Sequence, residues 1–129
     1  MNLAAELLEV GVGRFTAPDY RPGAVTHIVL FRYAPGAPID EIRDRFHALA
    51  ASERIVSIAS GPQASGESDR FDDGFIVTFD SLGDRNFYVG EPFVTDPAEY
   101  DAEHHAFKQF VGPHLEAVEV FDLEAPRVS

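Results

Sequence analysis

The chain of 129 residues contains no cysteine, and only 10 lysines and arginines stand against 22 acids. The first absence removes disulfides, thiolate catalysis and cysteine-based zinc sites, and it fits a reducing compartment. The second leaves a net charge of -12, whose summed field repels phosphate backbones and anionic lipid surfaces, so neither nucleic acid nor membrane is an expected partner. No apolar run approaches the length that spans a bilayer. The opening MNLAAELLEVGVGRF lacks a basic leader, and Glu6 and Glu9 interrupt its apolar stretch, so the expected location is cytoplasmic. No P-loop, dinucleotide fingerprint, nucleophile elbow or zincin motif occurs. No metal and no cofactor is expected.

What is present is ordinary globular material. Hydrophobic residues make up 45% and charged residues 25%, enough for one domain with a real core and too little chain for two. Residues 1–24 read as an extension: Leu3, Leu7 and Val10 recur at near-helical spacing, Gly11 and Gly13 stop the pattern, and TAPDYRPGA is an extended linker. A short helix docking on a neighbouring surface and a loose tail are both compatible with that pattern. Residues 25–124 form the domain, and 125–129 a tail.

The domain alternates in a recognisable order. VTHIVLFRY (25–33) is a strand ended by APGAP, and Ile28, Val29, Leu30 and Phe31 leave it no wet face, so both faces should be covered. Residues 39–52 predict a helix with Ile39, Ile42, Phe46, Leu49 and Ala50 on one stripe. RIVSIASG (54–61) and FIVTFD (75–80) predict strands, and RNFYVG a helical turn. Pro97, with Asp96 as cap, predicts a helix running through Val111, and AVEVFDLE (117–124) a last strand. Strand, helix, strand, strand, helix, strand is the α+β, ferredoxin-like βαββαβ arrangement, a four-stranded antiparallel sheet with the helices on one face. The other face is left bare, and the two-sided apolarity of the first strand predicts a homodimer whose sheets close into a barrel.

DAEHHAFKQF (101–110) sets His104 and His105 side by side. On a helix adjacent residues diverge by about 100°, so the two rings cannot hold one metal. His105 groups with Asp101, Lys108 and Gln109 on the wet side, whereas His104 shares a stripe with Tyr100, Phe107 and Val111. A histidine on an apolar stripe is ordinarily a satisfied core residue, and Tyr100, one turn earlier, is an available partner. His27 lies on the strand face with Val29 and Phe31; periodicity leaves open which face meets the helices. If it is the helical side, His27 and His104 line one pocket, an acid/base set in an apolar cavity. Asp69, Asp72 and Asp73 form an acidic loop, ordinarily solvated.

VTHIVLFRYAPGA, DDGFIVTFDS and HHAFKQFVGPHLEAVEVFDLE, in this order across residues 25–124, resemble the stress-responsive A/B barrel (Dabb) family of the dimeric α+β barrel superfamily. The resemblance implies the same ferredoxin-like dimer and little about chemistry, since most such proteins have no assigned reaction. One branch, plant olivetolic acid cyclase, closes a polyketide without metal or organic cofactor. The likeness to it implies His104 as general base, with Tyr88 and the first-strand His27 as its companions. The segment here lacks the first histidine of His-x-x-His-x-x-Phe, and EPFVTDPAEYDAE lengthens the connection, so Tyr100 is an alternative to Tyr88.

Two functions therefore compete. The first is a dimeric protein binding a small apolar ligand between sheet and helices, with Val29, Phe31, Phe46, Tyr100 and Phe107 as ligand contacts. The second is a cofactor-free cyclase or lyase using His104, Tyr88 and His27. A third, a subunit that assembles further to stabilise other proteins, has no residue pointing to it.

Overall fold

The computed structural model describes residues 21–125, together with the backbone of two short strands before them, β1 (Leu7–Val10) and β2 (Gly13–Thr16). These two pair antiparallel, with Leu7 opposite Thr16 and Val10 opposite Gly13. The short helix considered for this stretch is thus replaced by a ribbon. Gly13, which opens β2, disfavours continuation of a helix. Leu3 lies outside the described residues, as do 126–129.

The domain itself consists of β3 (Val25–Tyr33), α1 (Ile39–Ala48), β4 (Ile55–Pro62), β5 (Asp73–Phe79), α2 (Leu82–Val89), α3 (Ala102–Val111) and β6 (Leu115–Glu124). The sheet order is β4-β5-β3-β6, antiparallel throughout. The fold is α+β and ferredoxin-like. Pro35, Gly36 and Pro38 end β3 as expected, and α1 passes into a 3-10 turn at Leu49–Ala51, so the helix stops short of residue 52.

Register settles which face is which. In antiparallel pairs opposed residues share a face, and His27 lies opposite Val77 on β5 and Asp122 on β6. Val25, His27, Phe31 and Tyr33 are buried, as are Phe75, Val77 and Phe79 on β5. These face the helices, where Ile42, Phe46, Leu49, Tyr88, Phe107 and Val111 complete the core. The opposite face carries Ile28, Leu30, Ile76, Phe121 and Leu123, with Phe121 62% exposed. That is an apolar sheet surface without a cover among the described residues.

One buried polar cluster ties this frame together. Arg43 on α1 donates from Nε and Nη2 to both oxygens of Asp73, at 2.9 and 2.5 Å, and the Tyr33 hydroxyl donates to the same carboxylate at 2.5 Å. Asp72 accepts from the Tyr33 backbone amide at 2.9 Å. Two members of the acidic loop are therefore structural acceptors, and no cluster suited to a metal occurs among the described residues. Burial and the Asp73 hydrogen bond push the Tyr33 phenol well above its ordinary range.

The second half departs from expectation at one boundary. The helix predicted from Pro97 begins only at Ala102. Asp96 does cap a turn, accepting from the Ala98 amide, but that turn is a 3-10 piece ending at Tyr100, whose backbone is extended. Asp101 then opens α3 by accepting from the Glu103 and His104 amides at 3.0 and 3.1 Å. Two aspartates each offer an N-cap, and the extended residue between them breaks one expected helix into two starts.

Candidate functional site

The site is built from the two short helices and the sheet end beneath them. Ser81 caps α2 through the Asp84 amide at 3.1 Å, and Gly90 closes it at φ 74°, a left-handed conformation that glycine adopts without strain. Within that single helix Arg85 and Tyr88, three apart, share the buried face. On α3 the 3-4 spacing of His104, Phe107 and Val111 puts them on the sheet side. Between these helices, α1 and the sheet lies a cavity of about 400 Å³.

Most of its wall is apolar: Val29, Phe31, Phe46, Phe75, Phe107 and Val111, with Leu115, Val118 and Val120 along β6. The exposed members of the lining, Phe93, Lys108, Gly112, Val118 and Val120, mark its mouth. Polar groups gather at one end. His27, Arg85, Tyr88 and His104 all line the cavity and all are buried.

Their hydrogen bonds fix their chemistry. His104 Nδ1 donates to the Tyr88 backbone carbonyl at 2.5 Å, and its ring stacks on the Tyr88 ring with centroids 3.6 Å apart and planes 16° from parallel. Nδ1 therefore holds the proton and Nε2 is the acceptor. Burial drives the His104 imidazole down to about 3, against the opposing pull of that carbonyl, so the ring is neutral. His27 Nδ1 bonds Asp122 Oδ1 at 2.7 Å, and Arg85 Nη2 bonds Asp122 Oδ2 at 2.9 Å. Burial lowers His27 as well, with Asp122 working against it. For Asp122 burial works upward, but the bonds from Arg85 and His27 outweigh it and hold the carboxyl below its ordinary range.

Three polar atoms remain open: Nε2 of His104, Nε2 of His27 and the Tyr88 hydroxyl. Among the described residues the one buried side-chain atom without a hydrogen-bond partner is Arg85 Nε. None of the three is hydrogen-bonded among the described residues, and the side chains that carry them line the cavity. His27 and Tyr88 meet edge to face at 5.7 Å between centroids. Burial raises the Tyr88 phenol, which keeps it a hydroxyl donor.

The fold thus brings His27, Tyr88 and His104 together, and of the expected ligand contacts Val29, Phe31, Phe46 and Phe107 line the cavity with them. Tyr100 does not. It precedes α3 in extended backbone, and its ring packs against Gly90 and beside His105, at 5.4 Å between centroids. The partner of His104 is accordingly the Tyr88 carbonyl and not the Tyr100 hydroxyl. His105 is half-buried against Tyr100, less wet than its helical position suggests. Asp122, Arg85, Lys108 and Phe93 escaped the sequence reading. The pairing of the first and last strands was the signal for Asp122, because that register sets it across from His27.

The sequence pattern that defines the stress responsive A/B barrel domain matches residues 25–125. The chain belongs to this family. Among solved structures, this A/B barrel domain is similar to a dimeric protein of unknown function and ferredoxin-like fold from Bacteroides fragilis. The two are 26% identical with a TM-score of 0.60, covering 81% of this chain and 99% of that one. It is also similar in fold to a hydroxynitrile lyase from Passiflora edulis, at 21% identity and a TM-score of 0.66, covering 84% and 98% of the two chains. A cofactor-independent oxygenase from Streptomyces nogalater shares the fold at 14% identity and a TM-score of 0.54, covering 81% and 95%. No curated protein matches the chain. No helix among the described residues is long and apolar enough to cross a membrane.

Proposed function

We propose that two copies of this A/B barrel domain pair through the bare sheet face and that each holds a small, mostly apolar ligand in its own cavity. The observation that carries the ligand is the cavity itself, walled by aromatic and aliphatic side chains with three open polar atoms at one end. Its volume of about 400 Å³ falls within the roughly 300–1,000 Å³ usual for small-molecule sites. The observation that supports pairing is the row of Ile28, Leu30, Ile76, Phe121 and Leu123, too apolar to be left in water. The Bacteroides fragilis neighbour, described as dimeric, supports it further. The cytoplasmic location expected from composition goes with this proposal.

Calorimetric titration with 2-naphthol tests it. Saturable binding at one site per chain, lost when Val111→Trp fills the cavity, is the expected result. Equal binding by that variant would sink the assignment of the cavity.

A second reading is a cofactor-free cyclase or lyase in which His104 Nε2 takes a proton from carbon and Tyr88 or His27 stabilises the enolate oxygen. It is favoured by the convergence of those three side chains. The strength of the base argues against it: an imidazole near 3 holds a proton poorly at neutral pH, and each lost factor of ten costs about 1.4 kcal/mol. Hydrogen bonding to a ligand carbonyl or hydroxyl makes no such demand. Turnover of a panel of linear polyketides that disappears in His104→Ala, with the fold intact, would reverse this ranking.

A further inference from the structure

The acids of this chain outnumber its bases 22 to 10, yet none of them lines the cavity, whereas Arg85 and Lys108 both do. A pocket that drew its walls at random from such a chain would be acidic. Arg85 sits at the histidine end, because its partner Asp122 lies across from His27 in the sheet. It is 8% exposed and spends one donor on Asp122 and one on the Asn86 side chain, at 2.9 Å each, while its Nε is buried without a partner. With no accessible surface, that Nε is not offered to the cavity, whereas each Nη keeps a second N–H beyond its bond to Asn86 or Asp122.

Lys108 stands one turn after His104, at the mouth. Its ammonium donates to the Val89 carbonyl at 2.6 Å and makes no salt bridge among the described residues; Glu91 acts on it only at longer range. The Arg85 charge is balanced by Asp122, which is shared with His27, so Lys108 is the cation of the lining that has no salt-bridge partner among the described residues. The Phe93 ring, 56% exposed, lies over the guanidinium with Cζ 4.3 Å from its centroid, and forms part of the same mouth.

The remaining length is apolar. From His27 to Phe31 the strand advances roughly 13 Å at about 3.3 Å per residue, and beyond His27 the wall consists of Val29, Phe31, Phe46, Phe75, Phe107 and Val111. We infer that the ligand is a small monocarboxylate, its anionic head between Arg85 and Lys108 and its apolar body laid along β3 toward Phe31. This rests on the apolar-ligand reading and adds the charge and direction of the molecule.

Titration with three matched probes, 2-naphthoate, 2-naphthamide and 2-naphthylmethylamine, separates the two levels. The acid is expected to bind at least tenfold more tightly than the amide, and the amine most weakly. Lys108→Met, an exposed position that spares the core, should reduce the preference for acid over amide to less than threefold. Arg85→Met, with folding checked by thermal melting, should do the same. If wild-type protein binds the amide as tightly as the acid, the carboxylate assignment falls while the apolar-ligand reading stands. If none of the three binds, both fall.

Discussion

The ring of His104 lies flat on the ring of Tyr88, 3.6 Å between centroids, and is held there by a hydrogen bond from its Nδ1 to the carbonyl of the same tyrosine. One residue thus sets the tautomer and the plane of the other. The stack also makes α2 and α3 a unit, because the contact joins the last turn of one helix to the first turn of the next.

Because the folded imidazole sits near 3 and an unfolded one near 6.5, the unfolded chain binds a proton over that interval that the folded chain does not. Stability is therefore at its full value above about pH 6.5 and falls as the pH drops toward 3. His27, also lowered, acts in the same direction. Each such group contributes a slope of up to about 1.4 kcal/mol per pH unit. Urea midpoints should drop between pH 7 and pH 5, and by less in His104→Phe. A midpoint in the wild type that is flat over this range contradicts the buried neutral ring.

The cluster of Tyr33, Arg43 and Asp73 lies outside the cavity lining. Arg43→Ala leaves the Asp73 carboxylate buried with one neutral donor, and should cost about 3 kcal/mol of stability. Ligand affinity, measured well below the melting temperature, should change by less than threefold. Calcium should not raise the melting temperature of the parent protein, since Asp72 and Asp73 are already satisfied.

On the bare sheet face, Ile76→Asp or Phe121→Asp places a charge where an apolar surface is expected to be covered. Light scattering coupled to size exclusion should read a dimer for the parent and a monomer for either variant. A parent that elutes as a monomer at micromolar concentration removes the proposed pairing.

The strand-helix alternation and the two apolar stripes were legible because they are local periodicities: β3 was bounded correctly, and His104, Phe107 and Val111 do share one buried face. What failed or stayed open was non-local. The orientation of His27 could not be read from a strand apolar on both sides, and is decided by register against β5 and β6. Asp122 looked like one acid among many until that register set it opposite His27. Tyr100 was misplaced by a single extended residue between two capping aspartates, a choice of cap that periodicity does not weigh. Arg85 carried no local mark, since a charged residue in a short helical turn ordinarily faces water.

The central claim is that the cavity behind His104 holds a ligand, and methyl-resolved NMR titration with 2-naphthol tests it most directly. Saturable shifts are expected at Val29, Val111, Leu115, Val118 and Val120, which line the cavity, with Ile28, Ile76 and Leu123 on the opposite face unmoved. Shifts confined to the opposite face, or none at millimolar probe, would contradict it.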